Sequence, residues 1–448
     1  MAPGISIGGM ASGLNSQAII AALMDVERLP ILRLQSHKQR LNQQNEIFSK
    51  LNGKLDSLET TLLKMDTVGE MASYSASSSD EAKVKVTAGG NATSGSWAVN
   101  VTQLAQTMTR NTNGVADSNV TNMGTGSFGI VANGQTYNID LSSNPQNTLA
   151  DIRNAINDSG APVSATIINE GTGATPYRLV VTSDTSGSAG SFTFDLTNFT
   201  VANSAFNLNQ AGSVLQAAQN SIFTVNGLSL SRGTNAVSDA IEGLTLDLRT
   251  IGTATITAAP DNAGVKKKAK EFIDAYNAIV DVMSPQNAVD SSGQSKAVLF
   301  GDSGLRGINN RLRMSLQTAS GGTSSYRTLA SVGIKTGTDG KLSLDDSDFD
   351  AALSADFAGV LNVFTDSSSG VAKSLKTAVD EMTNPVDGIF SSRKDGIARR
   401  IKTIDSRISD LEKRMTRIEE RMVMKYAGLE KLVSSFQAQG ATLQSFYR

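Results

Sequence analysis

Apolar residues recur along this 448-residue chain with two different periods, and the period changes twice. It is helical near both ends and two in the middle. From Leu34 a seven-residue repeat places Leu34, Leu41, Phe48, Leu55 and Leu62 at one position. Leu51, Leu58 and Met65 hold the second position, where His37 and Gln44 stand earlier. The arrangement returns in "RRIKTIDSRISDLEKRMTRIEERM", where Ile401, Ile404, Ile408, Leu411, Met415, Ile418 and Met422 are spaced by alternating threes and fours. A stripe this narrow does not close a globular core; it requires a second helix of matching period. The two stripes are therefore expected to pair antiparallel within one molecule. In that pairing Phe48, Leu51, Leu55, Leu58 and Leu62 pack on Ile401, Ile404, Ile408, Leu411 and Met415, and Ile418 continues the seam. His37, at a seam position, reads as a partly exposed spacer rather than a pH sensor.

Ahead of the first repeat, "ISIGGMASGLNS" is rich in turn formers, and Asn15 or Ser16 is placed to cap a helix. Ile19, Ile20, Leu23, Met24 and Val26 follow, and Pro30 is expected to close or bend that helix. Between the ends the alternation of "AKVKVTAG", "GSWAVNVTQLA", "VSATIINEG", "PYRLVVTSD", "GLTLDLRTIG" and "TATITAAP" predicts strands. Asn133-Gly134 and Asn226-Gly227 signal hairpins. "TLADIRNAINDSG" predicts a short helix with Leu149, Ile152 and Ile156 on one face and Gly160 as its stop. Helices return after Pro260. The nested pattern predicts a multidomain α+β protein: terminal helices form an antiparallel coiled-coil stalk, and β-rich head domains lie in the middle of the chain. The expected divisions are 1–40 as a terminal helical segment, 41–80 with 261–395 as the stalk, 81–113 with 217–260 as a β-rich head, 114–216 as an outer β-rich insert, and 396–448 as the C-terminal heptad helix.

Composition narrows the function. Lys+Arg total 40 and Asp+Glu 42, a net charge of -2, which argues against a dedicated nucleic-acid binder. There is no cysteine and one histidine, so disulfides, thiol nucleophiles and multi-histidine metal sites are excluded. The resulting expectation is no enzyme, no cofactor and no metal. No run is apolar and long enough to span a bilayer. The start lacks the basic and apolar regions of a cleaved signal, which leaves export by a route that reads uncleaved N-termini.

Four motifs look chemical and read as structural. "GTGSFG" matches a dinucleotide fingerprint but is followed by strand-like "FGIVA", so it is read as a turn. "GDSGL" around Ser303 has no base beside it, which makes Asp302 or Ser303 a helix cap. "DDSDFD" lacks the central glycine and closing glutamate of a calcium loop and reads as an acidic helix start. "KKKAK", residues 266–270, reads as a solvated helix face.

The blocks "GGMASGLNSQAIIAALMDVERLPILRL", "GSWAVNVTQLAQ", "SIFTVNGLSLSRGTNAVSDAIEGLTLDL", "KEFIDAYNAIVDVM", "GDSGLRGINNRLRMSL" and "YRTLASVGIKTGTDGKLSLDDSDFDAAL" stand along the chain, with the terminal coil. Together they resemble the bacterial flagellar filament-capping family, hook-associated protein 2. Residues 126–183 resemble the repeat of flagellin and hook-type outer domains, whereas 184–216 carry no recognisable signature. The resemblance implies a homo-oligomeric ring of five or six copies at the filament tip, secreted by the flagellar type III apparatus, beneath which flagellin folds and inserts. Implied partners are the chain itself, flagellin, hook–filament junction proteins and an export chaperone over the C-terminal helices; nucleic acid and membrane insertion are not. Ile19, Ile20, Leu23 and Met24, with Leu429, Leu432, Val433, Phe436, Leu443 and Phe446, are the expected partner-binding residues, ordered only on a partner. The competing readings are a hook–filament junction or other axial protein, a tip adhesin binding host glycans, and a secreted hydrolase. The last lacks a placed histidine base.

Overall fold

The structure is a computed structural model that describes residue 13, residues 15–288 and residues 297–446, with the backbone alone for 443–446. In chain order its helices are α1 (Ser16–Leu62), α2 (Val68–Met71), α3 (Leu149–Asp158), α4 (Asn262–Asn287), α5 (Ser303–Leu316), α6 (Asp346–Ala355), α7 (Phe357–Thr365), α8 (Val371–Thr383) and α9 (Ile389–Phe446). The strands are β1 (Tyr74–Ser78), β2 (Val84–Ala88), β3 (Gly95–Gln103), β4 (Thr107–Asn111), β5 (Gly124–Ala132), β6 (Gln135–Asp140), β7 (Val163–Asn169), β8 (Tyr177–Ser186) and β9 (Phe192–Asp195). They continue as β10 (Phe199–Val201), β11 (Val214–Gln216), β12 (Ser221–Val225), β13 (Leu228–Arg232), β14 (Ala236–Ile241), β15 (Leu244–Leu248), β16 (Gly252–Pro260), β17 (Ile334–Thr336) and β18 (Leu342–Leu344). Two units result: Met1–Thr67 with Lys268–Arg448, which carries the terminal helices, and Val68–Lys267, which is rich in sheet.

The sheet-rich unit has two cores. In the first, a five-stranded sheet of order β1-β16-β3-β12-β13 shares its buried face with the three-stranded sheet β14-β15-β2. Alternation builds this core: Ala254, Ile256 and Ala258 of β16 are buried, while Thr253, Thr255 and Thr257 between them face outward. Asn226 and Gly227 both have positive φ, 48° and 85°, the type I′ geometry that joins β12 to β13 without splaying them. Asn133 and Gly134, at 52° and 76°, do the same for β5 and β6.

The second core lies among the sheets β10-β5-β6, with β9 also on β5, and β11-β4-β8-β7, together with α3. Thr148 and Asp151 form a reciprocal capping box, and Leu149, Ile152 and Ile156 turn inward as the spacing predicts. The unassigned stretch 184–216 supplies much of this core. Phe194, Phe199 and Phe206 pack on Phe128 with ring centroids 6.2, 5.5 and 5.9 Å away, mostly edge-on, as the ring quadrupoles favour.

Three expectations are corrected here. "GTGSFG" is no turn but the opening of β5, pressed against β10. Gly126 has φ of +111°, and a Cβ there would stand 2.3 Å from the Asn198 carbonyl oxygen, so glycine serves strand approach. Strand β4 pairs with β8 and Met108 enters the second core, so the crossing between cores precedes Thr107 rather than falling at 113. Strand β1 pairs with β16, which places Tyr74–Ser78 with the sheets and not with the stalk helices.

In the helical unit the acidic motif and the serine motif are caps. Asp302 accepts from the backbone N–H of Gly304 and Leu305 at the start of α5, and Asp345 accepts from Ser347 and Asp348 at the start of α6. Lys335 bonds both Asp345 and Asp348, and Lys270 pairs with Asp346 at 2.9 Å, so the acids and one lysine of "KKKAK" are matched.

The paired helices of the chain ends as a candidate interface

Helix α1 starts where the Asn15 side chain accepts from the Ala18 N–H. It then runs 47 residues without interruption, through Pro30. Of the two expected effects of Pro30, closing the helix does not occur. Proline forfeits one helical hydrogen bond, to the carbonyl of Val26, and Val26 is itself 64% exposed, so water reaches that turn. Helix α9 runs 58 residues, about 87 Å at 1.5 Å each.

Two contacts fix how α1 and α9 meet. Lys38 Nζ lies 2.6 Å from Asp405 Oδ1, and the Phe48 and Phe390 rings stand edge to face with centroids 6.2 Å apart. Ten residues forward on α1 thus correspond to fifteen backward on α9, and the pair is antiparallel. This register differs from the expected one. Phe48 sits on Phe390 rather than Ile401, and Ile401 and Ile404 fall beside the Lys38–Leu41 turn. Leu51, Leu55, Leu58 and Leu62 lie past the start of α9, where α8 takes its place and Lys376 reaches Glu59 at 3.4 Å. A seven-residue repeat specifies which face pairs but leaves any shift by whole heptads open.

Burial grades along the pair. Leu51, Leu55, Leu58 and Leu62 are fully buried, as is Phe48 nearly so, and Ile404 is the last buried side chain on α9 among the described residues. Ile401, Ile408, Leu411, Met415 and Ile418 are half-buried. His37 is exposed, off the seam; Lys38 holds that place, with its stem against α9 and its ammonium on Asp405. Phe390 and Ile397, both buried, were missed, although stepping back by sevens from Ile404 reaches them.

The expected partner-binding residues lie on the outer reaches of the same helices. Ile19, Ile20, Met24 and Val433 are half-buried, whereas Leu23, Leu429, Leu432 and Phe436 are exposed. The side chains of Leu443 and Phe446 lie outside the described residues. Both segments are helical. No helix among the described residues is long and apolar enough to cross a membrane. No group of metal-ligating side chains gathers among them either.

Comparison with known proteins matches residues 12–108 to the family "Flagellar hook-associated protein 2 N-terminus" and residues 218–438 to "Flagellar hook-associated protein 2 C-terminus". Residues 127–185 match the "Flagellin hook IN motif". The B-type flagellar hook-associated protein 2 of Pseudomonas aeruginosa is 30% identical over 397 residues, 83% of this chain and 82% of that protein. The flagellar hook-associated protein 2 of Escherichia coli O157:H7 is 30% identical over 465 residues, 98% and 97% of the two chains. The crystal structure of the flagellar cap protein FliD D1-D2-D3 domains from Escherichia coli superposes with a TM-score of 0.66 at 30% identity, covering 79% of this chain and 99% of that one. The two family models together span most of the chain, and relatives at 30% identity are covered over more than two thirds of it: the chain belongs to the flagellar hook-associated protein 2 family.

Proposed function

We infer that this protein caps the bacterial flagellar filament as a homo-oligomeric ring of five or six copies, secreted and held at the distal tip, where it promotes folding and insertion of exported flagellin. Family membership supports the cap. The observation that carries the mechanism is the graded α1–α9 pair, sealed at its inner end and presenting half-buried and exposed apolar residues at its outer end. Such a pair holds its own shape yet offers helical surface to a changing set of neighbours. Flagellin, hook–filament junction proteins and, before export, a chaperone over the end of α9 are the partners this surface suits. The action invoked is binding and positioning by surfaces, with no bond-making step.

Replacing Ile404 and Ile408 with aspartate tests the reading. Aspartate at the buried Ile404 site removes an apolar side chain from the seam and takes a carboxylate out of water, a cost on the order of 3 kcal/mol. The expected outcome in the native bacterium is loss of filaments with flagellin shed into the medium, while the sheet-rich unit keeps its circular dichroism. Full-length filaments built by the double variant would contradict the role of the helix pair.

A further inference from the structure

The packing of α1 changes at Pro30. Ahead of it no apolar side chain of the helix is buried: Ile19, Ile20 and Met24 are half-covered and Leu23, Val26 and Leu29 are exposed. From Ile31 onward buried apolar residues appear in the seam, Ile31, Leu41 and Phe48 at 5, 3 and 4% exposure, with Leu34 half-covered between the first two. On the facing helix Ile404 is buried and Ile408, Leu411, Met415, Ile418 and Met422 are half-covered; in the Lys38–Asp405 register Ile408 and Leu411 lie opposite the first turns after Pro30, and Ile418 and Met422 opposite the segment ahead of it. The first ion pair across the seam, Lys38 to Asp405, lies on the closed side. Proline removes the N–H that would bond the Val26 carbonyl and crowds that carbonyl with its ring, so the helix is weakest where the packing changes. The segment ahead of it, Ser16–Leu29, is too short to hold a helix firmly by backbone bonding alone.

We propose that Pro30 divides α1 into a closed arm, Ile31–Leu62, and an outer arm, Ser16–Leu29, that opens from α9 as one unit about the missing hydrogen bond. Opening uncovers Ile20 and Met24 on one helix together with Ile418 and Met422 on the other, while the closed arm keeps the chain ends joined.

Hydrogen exchange on the full chain, read by overlapping peptides, tests this. Amides of 17–29 and of 411–427 are expected to exchange at least about tenfold faster than those of 41–62, with a step at Pro30. Pro30→Ala restores the bond and is expected to slow exchange in both outer strips several-fold while leaving 41–62 unchanged. A smooth rise toward Ser16 with no step would mean ordinary end fraying and would overturn the proposal. Equal protection on the two sides of Pro30, or outer strips indifferent to Pro30→Ala, would overturn it as well.

Discussion

Asp345 shows how much one side chain settles. Its carboxylate accepts from the Ser347 hydroxyl and from the Asp348 N–H, and Lys335 stands beside it. These interactions favour the charged form and lower its pKa from 3.8 to about 2. Because the folded value lies below the unfolded one, the cap stabilises fully above pH 4 and is lost as the pH falls through 2. Asp345→Asn is therefore expected to lower the urea midpoint at pH 7 and to cost progressively less as the pH falls toward 2; an equal loss at both would contradict a charged cap. Such local features were legible in sequence: a cap at Asp302 or Ser303, the acidic helix start at Asp345, and the turns at Asn133 and Asn226 depend on neighbours two or three residues away. Gly126 was not, since what excludes a side chain there is the carbonyl of Asn198, far along the chain.

At the scale of the element, periodicity predicts which face of a helix is buried but not how deeply. Leu55 and Met415 occupy equivalent seam positions in their repeats, yet Leu55 is fully buried near α8 and Met415 is half-covered by α1 alone. Leu55→Ala is expected to cost about 2–5 kcal/mol, and Met415→Ala about 1 kcal/mol or less, in urea denaturation. Equal losses would mean that the seam is uniform after all. The register escaped the sequence for the same reason that burial did. Nothing in "LNGKLDSLETTLL" says that α9 begins only at Ile389 and that α8 covers the stretch beyond Phe48. Likewise 184–216 lacks a repeat or motif, because its phenylalanines pack on the one ring that β5 contributes, Phe128.

For the whole molecule, the plan follows from where the two periods sit in the chain. Helical repeats at both ends must find one another, and whatever lies between them returns to its starting side; the helical unit accordingly combines Met1–Thr67 with Lys268–Arg448. The paired end helices and the sheet domains thereby belong to separate units of one chain. The most direct test exploits the absence of native cysteine. Lys38→Cys with Asp405→Cys, treated with a short bismaleimide, is expected to give an intrachain crosslink in the monomer. Asn52→Cys with Asp405→Cys, about 21 Å further along the helix, is expected to give none. Crosslinking of the second pair in place of the first, or only between chains, would contradict the antiparallel register on which the account stands.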